Sequence, residues 1–234
     1  MSNGISIIIP TFGTPEFIDE CIESIQKQNT KLKFEILIGV DKCEDTLNHI
    51  KNNKELYSKT KVFYFNENVG PYVIKNNLVR EAVYDKLLFF DSDDVMNDNL
   101  LETIYPILIE RDVVRFKLQN FTVRDNVKRM LSTETSVGVF GIKKHRFELV
   151  NGFESWRCHS DSEFKRRVNF LGFWTMECDN ILFKRRIHGK NLTVKEDTNM
   201  LSDLRKKYMK ESSSKPKGKN PETLKIDYDI VLFE

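Results

Sequence analysis

Hydrophobic positions along the first ninety residues follow two alternating rhythms. Ile5 to Ile9 is a β-branched run ended by Pro10, which predicts a buried strand. Thr11 to Pro15 has loop chemistry, with Thr14 as a helix cap and Pro15 at the first helical position. Phe17, Ile18, Cys21, Ile22 and Ile25 then recur at helical spacing. The pattern repeats: a strand from Phe34 to Val40, a helix from Thr46 to Leu56 through Leu47 and Ile50, a strand from Lys61 to Phe65, and a helix from Tyr72 to Tyr84 through Val73, Ile74, Leu78 and Val79. Leu87 to Phe90 is an uninterrupted apolar run, as expected of a strand covered on both faces. Strands alternating with helices predict an α/β fold, a single mostly parallel central sheet flanked by helices. Such sheets bind ligands at the carboxyl ends of their strands. Thr11, Asp41, Asn68 and Asp91 all stand just past predicted strand ends.

The second half is less regular. Leu100 to Glu110 reads as a helix. Asp112 to Val123 alternates apolar and polar residues, which predicts an edge or half-exposed strand. Ser136 to Ile142 is small and apolar with two glycines, a strand expected to pass close to a ligand or another backbone. Lys143 to Val150 reads as a short helix, Asn151-Gly152 as a turn, Asp161 to Phe170 as a helix and Phe173 to Phe183 as containing a strand, with a basic loop over 184–190. Residues 191–219 hold eight Lys or Arg against four Asp or Glu. This predicts a basic extension over 194–234 that is solvated or in peripheral contact with an acidic surface or anionic lipid. Ser212 to Pro221 is linker-like, and alternating Leu224, Ile226, Tyr228, Ile230 and Leu232 predict a terminal strand docked on the domain.

Composition narrows the function classes. The chain has 234 residues, 40% hydrophobic and 31% charged, with 17 Phe and 7 Tyr, enough for one sizeable core. A net charge of +2 argues against a generally basic nucleic-acid binder. The four cysteines, Cys21, Cys43, Cys158 and Cys178, form no CxxC pair, so free thiols in a reducing, cytoplasmic compartment are expected. No apolar run reaches the roughly 18–20 residues of a membrane span, and the N-terminus lacks a basic-then-apolar signal.

The chemistry gathers at Lys86 to Asp94. A buried strand that runs straight into Asp91, Asp93 and Asp94 must open onto water, a metal or a ligand. Hard oxygen ligands of this kind suit Mg²⁺ or Mn²⁺ with a substrate phosphate completing the shell. The competing reading is a strand end followed by a helix capped by Asp94.

Taken in order, several segments resemble the family 2 glycosyltransferases, which share the GT-A nucleotide-sugar fold. They are Ile7-Ile8-Ile9-Pro10-Thr11-Phe12, Val40-Asp41 with Asp45-Thr46, Asn68-Val69-Gly70 with Lys75-Asn76, Phe89-Phe90-Asp91-Ser92-Asp93-Asp94, Val150-Asn151-Gly152-Phe153, Ser160-Asp161-Ser162-Glu163, and Arg186-Ile187-His188-Gly189-Lys190-Asn191-Leu192-Thr193. The likeness covers about residues 4–193. It implies a nucleotide-sugar-binding half over 1–94, an acceptor half over 95–193, and an inverting transferase using a nucleotide-diphosphate sugar, often a uridine one, with Mn²⁺ or Mg²⁺. The acceptor would be a glycan, a lipid-linked molecule or a protein. By the same resemblance Asp93 would be the direct metal ligand, Asp91 and Ser92 would lie near the ribose and metal, and His188 would complete the metal shell or meet the diphosphate. Pro10, Thr11, Phe12 and Asp41 would line the nucleoside pocket, Asn68 and Lys75 the ribose or diphosphate, and Glu16 would face the base. Arg186 would neutralise phosphate charge. Asp161 matches the second acid of the family's Glu-Asp pair and would be the catalytic base, with Glu163 as the other candidate.

The sequence departs from the family pattern at three points. Asp41-Lys42-Cys43-Glu44 stands where Asp-Asp-Gly-Ser is usual, Ser160 replaces the first acid of the pair, and Gly13 stands where Asn is common. Two alternatives are weighed against the transferase. A sugar-nucleotide nucleotidyltransferase needs a Gly-rich phosphate loop near the N-terminus, and Pro10 to Pro15 has only Gly13. An inert nucleotide-sugar or carbohydrate-binding module is opposed by the retained acids.

Overall fold

The computed structural model describes residues 3–215 and 218–233. Its first half is built from β1 (Ile5–Thr11), α1 (Pro15–Gln26), β2 (Phe34–Asp41), α2 (Glu44–Asn52), α3 (Lys54–Tyr57), β3 (Thr60–Phe65), α4 (Pro71–Glu81) and β4 (Lys86–Phe89). Then come β5 (Val95–Met96), α5 (Leu100–Glu110), β6 (Val113–Arg124), β7 (Val127–Thr135), β8 (Phe140–Lys143), α6 (Lys144–Leu149), α7 (Ser160–Phe170), β9 (Thr175–Arg186), α8 (Asp203–Ser214) and β10 (Tyr228–Val231).

All strands join one sheet in the order β10-β3-β2-β1-β4-β8-β6-β9-β5, with β7 paired to β6. The parallel part is β3-β2-β1-β4, and the second half is mixed: β8 is antiparallel to both β4 and β6, while β9 runs parallel to β6. Strand alternation explains why the first runs are apolar throughout. Ile5, Ile7 and Ile9 pack with α1, α2 and α5 on one face, while Ile8, Leu37, Leu87 and Phe89 pack with α4, α6 and α7 on the other. Close packing has a local requirement at Gly39, where a Cβ would stand 2.3 Å from Ile74 on α4.

Two expectations are corrected. The Asp112 to Val123 segment is an interior strand, flanked by β8 and β9, because its polar positions include Arg115, which is buried against the Phe140 ring. The basic loop over 184–190 is in its first three residues the end of β9. The terminal strand does dock. β10 lies antiparallel on the edge of β3, with Tyr228 between the rings of Phe63 and Phe65. That covers an edge which would otherwise template pairing with another chain. No described helix is long and apolar enough to cross a membrane.

Candidate active site

The carboxyl ends of β1, β2 and β4 open into a cavity of about 330 Å³, within the range of small-molecule sites. Pro10, Thr11, Phe12, Asp41, Lys75, Asp91, Ser92, Asp93 and Asp161 line it, as do Ser136 to Val139 from the turn between β7 and β8. The chain reaches the cavity floor at Gly70, whose φ of +89° allows the turn into Pro71 and α4.

Asp41 holds that turn. Its two carboxylate oxygens accept from the Val69 and Gly70 amides at 2.7 and 2.9 Å. Burial pushes its carboxyl above the ordinary value, and the two amide bonds and the Arg157 charge act in the opposite direction. Asn68 is turned away from the expected ribose contact. Its amide donates to the Asp41 carbonyl at 3.1 Å and accepts from Arg157 at 2.7 Å. Glu16 also stands back from the cavity wall, bound to Lys190 at 2.6 Å.

The acids after β4 are separated by their partners. Asp91 pairs with buried Lys75 at 2.9 Å, so the lysine charge is already met. Asp94 is buried and accepts from the Arg186 amide at 3.0 Å. Desolvation, then the charges of Asp93 and Asp91, push its carboxyl well up. Asp93 Oδ2 receives His188 Nε2 at 2.8 Å and Asn191 Nδ2 at 3.0 Å, and the His188 ring rests on Phe17. Oxygen and imidazole donors at one point suit Mn²⁺ or Mg²⁺. Among the described residues no group of three or more His, Cys, Asp or Glu stands at metal-holding spacing. The chain therefore fits a cation only as a shared site, with substrate phosphate oxygens supplying the rest of the shell.

Arg186 and Glu163 are corrected by secondary-structure geometry. Residues 185 and 186 are successive on β9 and point to opposite faces. Arg185 lines the cavity, while Arg186 is held by Glu20 and the Asp93 carbonyl between the rings of Phe17 and Phe121. Positions two apart on a helix differ by about 200°. Asp161 faces the cavity, and Glu163 is buried in a two-bond pair with Arg167 at 2.9 and 3.1 Å.

Asp161 opens α7. Its carboxylate accepts from the Ser162 amide at 2.8 Å, and Gly138 approaches so closely that a Cβ there would lie 3.2 Å from Asp161 Oδ2. The Tyr72 phenol neighbours it and is pushed well above its usual range by burial, then by the charges of Asp161 and Asp91. Cavity residues given no role from sequence include Tyr72, Arg157, Arg185, Lys190, Asn191, Lys195 and Arg205. Lys190 and Asn191 lay within a quoted segment without a role. Arg157 and Arg205 carry no motif signal.

The profile of glycosyl transferase family 2 matches residues 6–191. The chain belongs to that family. It is 29% identical over 113 residues to the glycosyltransferase GlyG of Streptococcus pneumoniae, which is 48% of this chain and 37% of GlyG. It is 30% identical over 137 residues to the poly(ribitol-phosphate) beta-N-acetylglucosaminyltransferase TarS of Staphylococcus aureus, covering 56% of this chain and 23% of TarS. The matches thus span well under half the length of these relatives. Among solved structures, TarS in complex with UDP-GlcNAc superposes with a TM-score of 0.67 at 18% identity, covering 80% of this chain and 60% of that one. A mannosyltransferase from Pyrobaculum calidifontis in complex with GDP-Man and Mn²⁺ gives 0.66 at 13% identity, covering 82% and 59%. These likenesses establish the fold, a mixed α/β sheet with flanking helices, as in GT-A glycosyltransferases.

Proposed function

We propose that this chain transfers a sugar from a nucleotide-diphosphate sugar, with uridine as the favoured nucleoside, to an acceptor hydroxyl with inversion at the anomeric carbon. One observation carries the reading: strand-end Asp91 and Asp93 and helix-borne Asp161 open into a single cavity. The first two suit a diphosphate and its cation, and the third suits a proton. Pro10, Thr11 and Phe12 would form the nucleoside wall, and Asp41 would hold the Val69-Gly70 turn beside it.

In the proposed reaction the acceptor oxygen bonds to the anomeric carbon as the bond from that carbon to the diphosphate oxygen breaks. The acceptor proton passes to the Asp161 carboxylate, a general base. Negative charge grows on the leaving diphosphate. A cation held by Asp93, His188 and Asp91 would stabilise that charge electrostatically. Gly138 leaves space beside Asp161 for the incoming hydroxyl. The acceptor is a glycan, a lipid-linked molecule or a protein, and the similarity to a poly(ribitol-phosphate) beta-N-acetylglucosaminyltransferase favours a polymer.

The test is a thermal-shift screen of sugar nucleotides with Mn²⁺, followed by a transfer assay with the nucleotide sugar that binds. A ligand that binds only the folded chain raises its transition temperature. A uridine-diphosphate sugar should do so in the wild type, with the shift lost in Asp93→Ala and on chelation. Equal shifts in wild type and Asp93→Ala would remove Asp93 from the site.

A further inference from the structure

Arg205 lies beyond residue 191, where the family match ends, yet it lines the cavity. It is 8% exposed. Its Nε donates to the carbonyls of Thr198 and Asn199 at 2.9 and 3.1 Å, which fixes the plane of the guanidinium. Among the described residues no carboxylate comes within ion-pair distance of it, and its terminal nitrogens have no hydrogen-bond partner. Unlike the Arg115 nitrogens, those of Arg205 are not sealed in protein but open to the cavity, where a guanidinium with free donors favours an oxyanion.

Its place on α8 adds to the positive potential there. Ser202 caps this helix by accepting from the Arg205 amide at 3.2 Å, so Arg205 stands in the first turn, at the positive end of the helix dipole. Cations are favoured at the other end. The helix is held in place by the stack of Tyr208 on Trp156, with centroids 4.8 Å apart, and by Lys215 on Glu154. Two positive features, a helix N-terminus and a guanidinium, therefore meet at one wall of the cavity. The Arg205 charge is felt by Tyr72, Cys158 and His159, the same groups that feel Asp161. That is the end of the cavity at the start of α7, apart from the Asp93-His188-Asn191 contact.

We infer that Arg205 is an anion-recognition residue of the acceptor side, taking a phosphate or carboxylate group carried by the acceptor close to its reacting hydroxyl. The inference rests on the proposed transferase reading and adds the charge class of the acceptor to it. A phosphate oxyanion could also come from the donor, so the experiment separates the two sources.

The full chain is loaded with UDP and Mn²⁺, and glycerol 3-phosphate is titrated in by calorimetry, with glycerol as the neutral control. The wild type should bind glycerol 3-phosphate and take glycerol at least about tenfold more weakly, since a charge-assisted hydrogen bond contributes about 1.5–3 kcal/mol. Arg205→Gln should weaken glycerol 3-phosphate by about ten- to a hundredfold and leave UDP affinity unchanged, and Arg205→Lys should recover part of the loss. Weaker UDP binding in Arg205→Gln would assign the anion to the donor and overturn the inference. Equal glycerol 3-phosphate affinity in wild type and variant would also overturn it. The wild-type arm stands without the variant: no preference for glycerol 3-phosphate over glycerol is sufficient to reject the idea. If UDP does not bind at all, the transferase reading fails and this inference with it. UDP binding without phosphate preference sinks the acceptor inference alone.

Discussion

Asp161 and Glu163 have the same chemistry and lie two residues apart, and only their helical phase tells them apart. The sequence could name both because acids in a helix first turn look alike from composition. It could not rank them without knowing which face of α7 meets the cavity. Arg167, one turn on from Glu163, also donates to the Val150 and Gly152 carbonyls, so this pair staples α7 to the turn before it. His159, just before α7, makes a prediction at the same scale. Its φ is +72°, and desolvation holds its imidazole below the usual value of 6.5. The unfolded chain therefore binds the proton first as pH falls through about 6.5, so this residue makes the fold less stable on acidification. Asn tolerates that φ and caps helices well. His159→Asn should thus lose less thermal stability than wild type between about pH 7 and pH 5.5. The same slope in both proteins would show that His159 is not the group responsible.

At the scale of elements, the strands and helices through β4 were legible because each carries its own period and each is short-range. The terminal strand was legible too, from its alternation. The hairpin of β6 and β7 was not. Every β7 residue from Val127 to Glu134 is exposed, so no buried stripe marks it as a strand. The sequence presents the extension only as a basic tail, solvated or against an acidic surface or anionic lipid, because the eight cations of 191–219 carry no information on which of them turns inward. Arg205 does so through carbonyl bonds that only the folded chain creates. The docking of β10 rests on Tyr228, whose ring lies 5.2 Å from both Phe63 and Phe65 and whose hydroxyl donates to Glu81 at 2.6 Å. Aromatic pairs contribute about 0.5–1.5 kcal/mol each beyond area burial, so Tyr228→Ala should cost about 1–3 kcal/mol in urea unfolding. It should also increase self-association in light scattering as the β3 edge is uncovered. Unchanged stability and size would mean that β10 does not protect the edge.

On the scale of the whole molecule, one sheet brings together groups from distant parts of the chain. Asp93 meets His188 and Asn191 across more than ninety positions, and Asp41 fixes a turn that begins at Asn68. The rim of strand ends was legible as soon as the alternating pattern was, since ligand sites of parallel sheets lie there. The cavity wall around Asp161 was not, because it is assembled from a turn, a helix start and an extension that have no common periodicity. The central claim is a division of labour: the strand-end acids hold the donor, and Asp161 takes the acceptor proton. The direct test measures donor affinity and transfer rate side by side in Asp161→Asn. General-base catalysis contributes about 10²–10⁴-fold, so the transfer rate should fall by that factor while nucleotide-sugar affinity stays within about twofold of wild type. Transfer at the wild-type rate with Asn at position 161 would contradict the account.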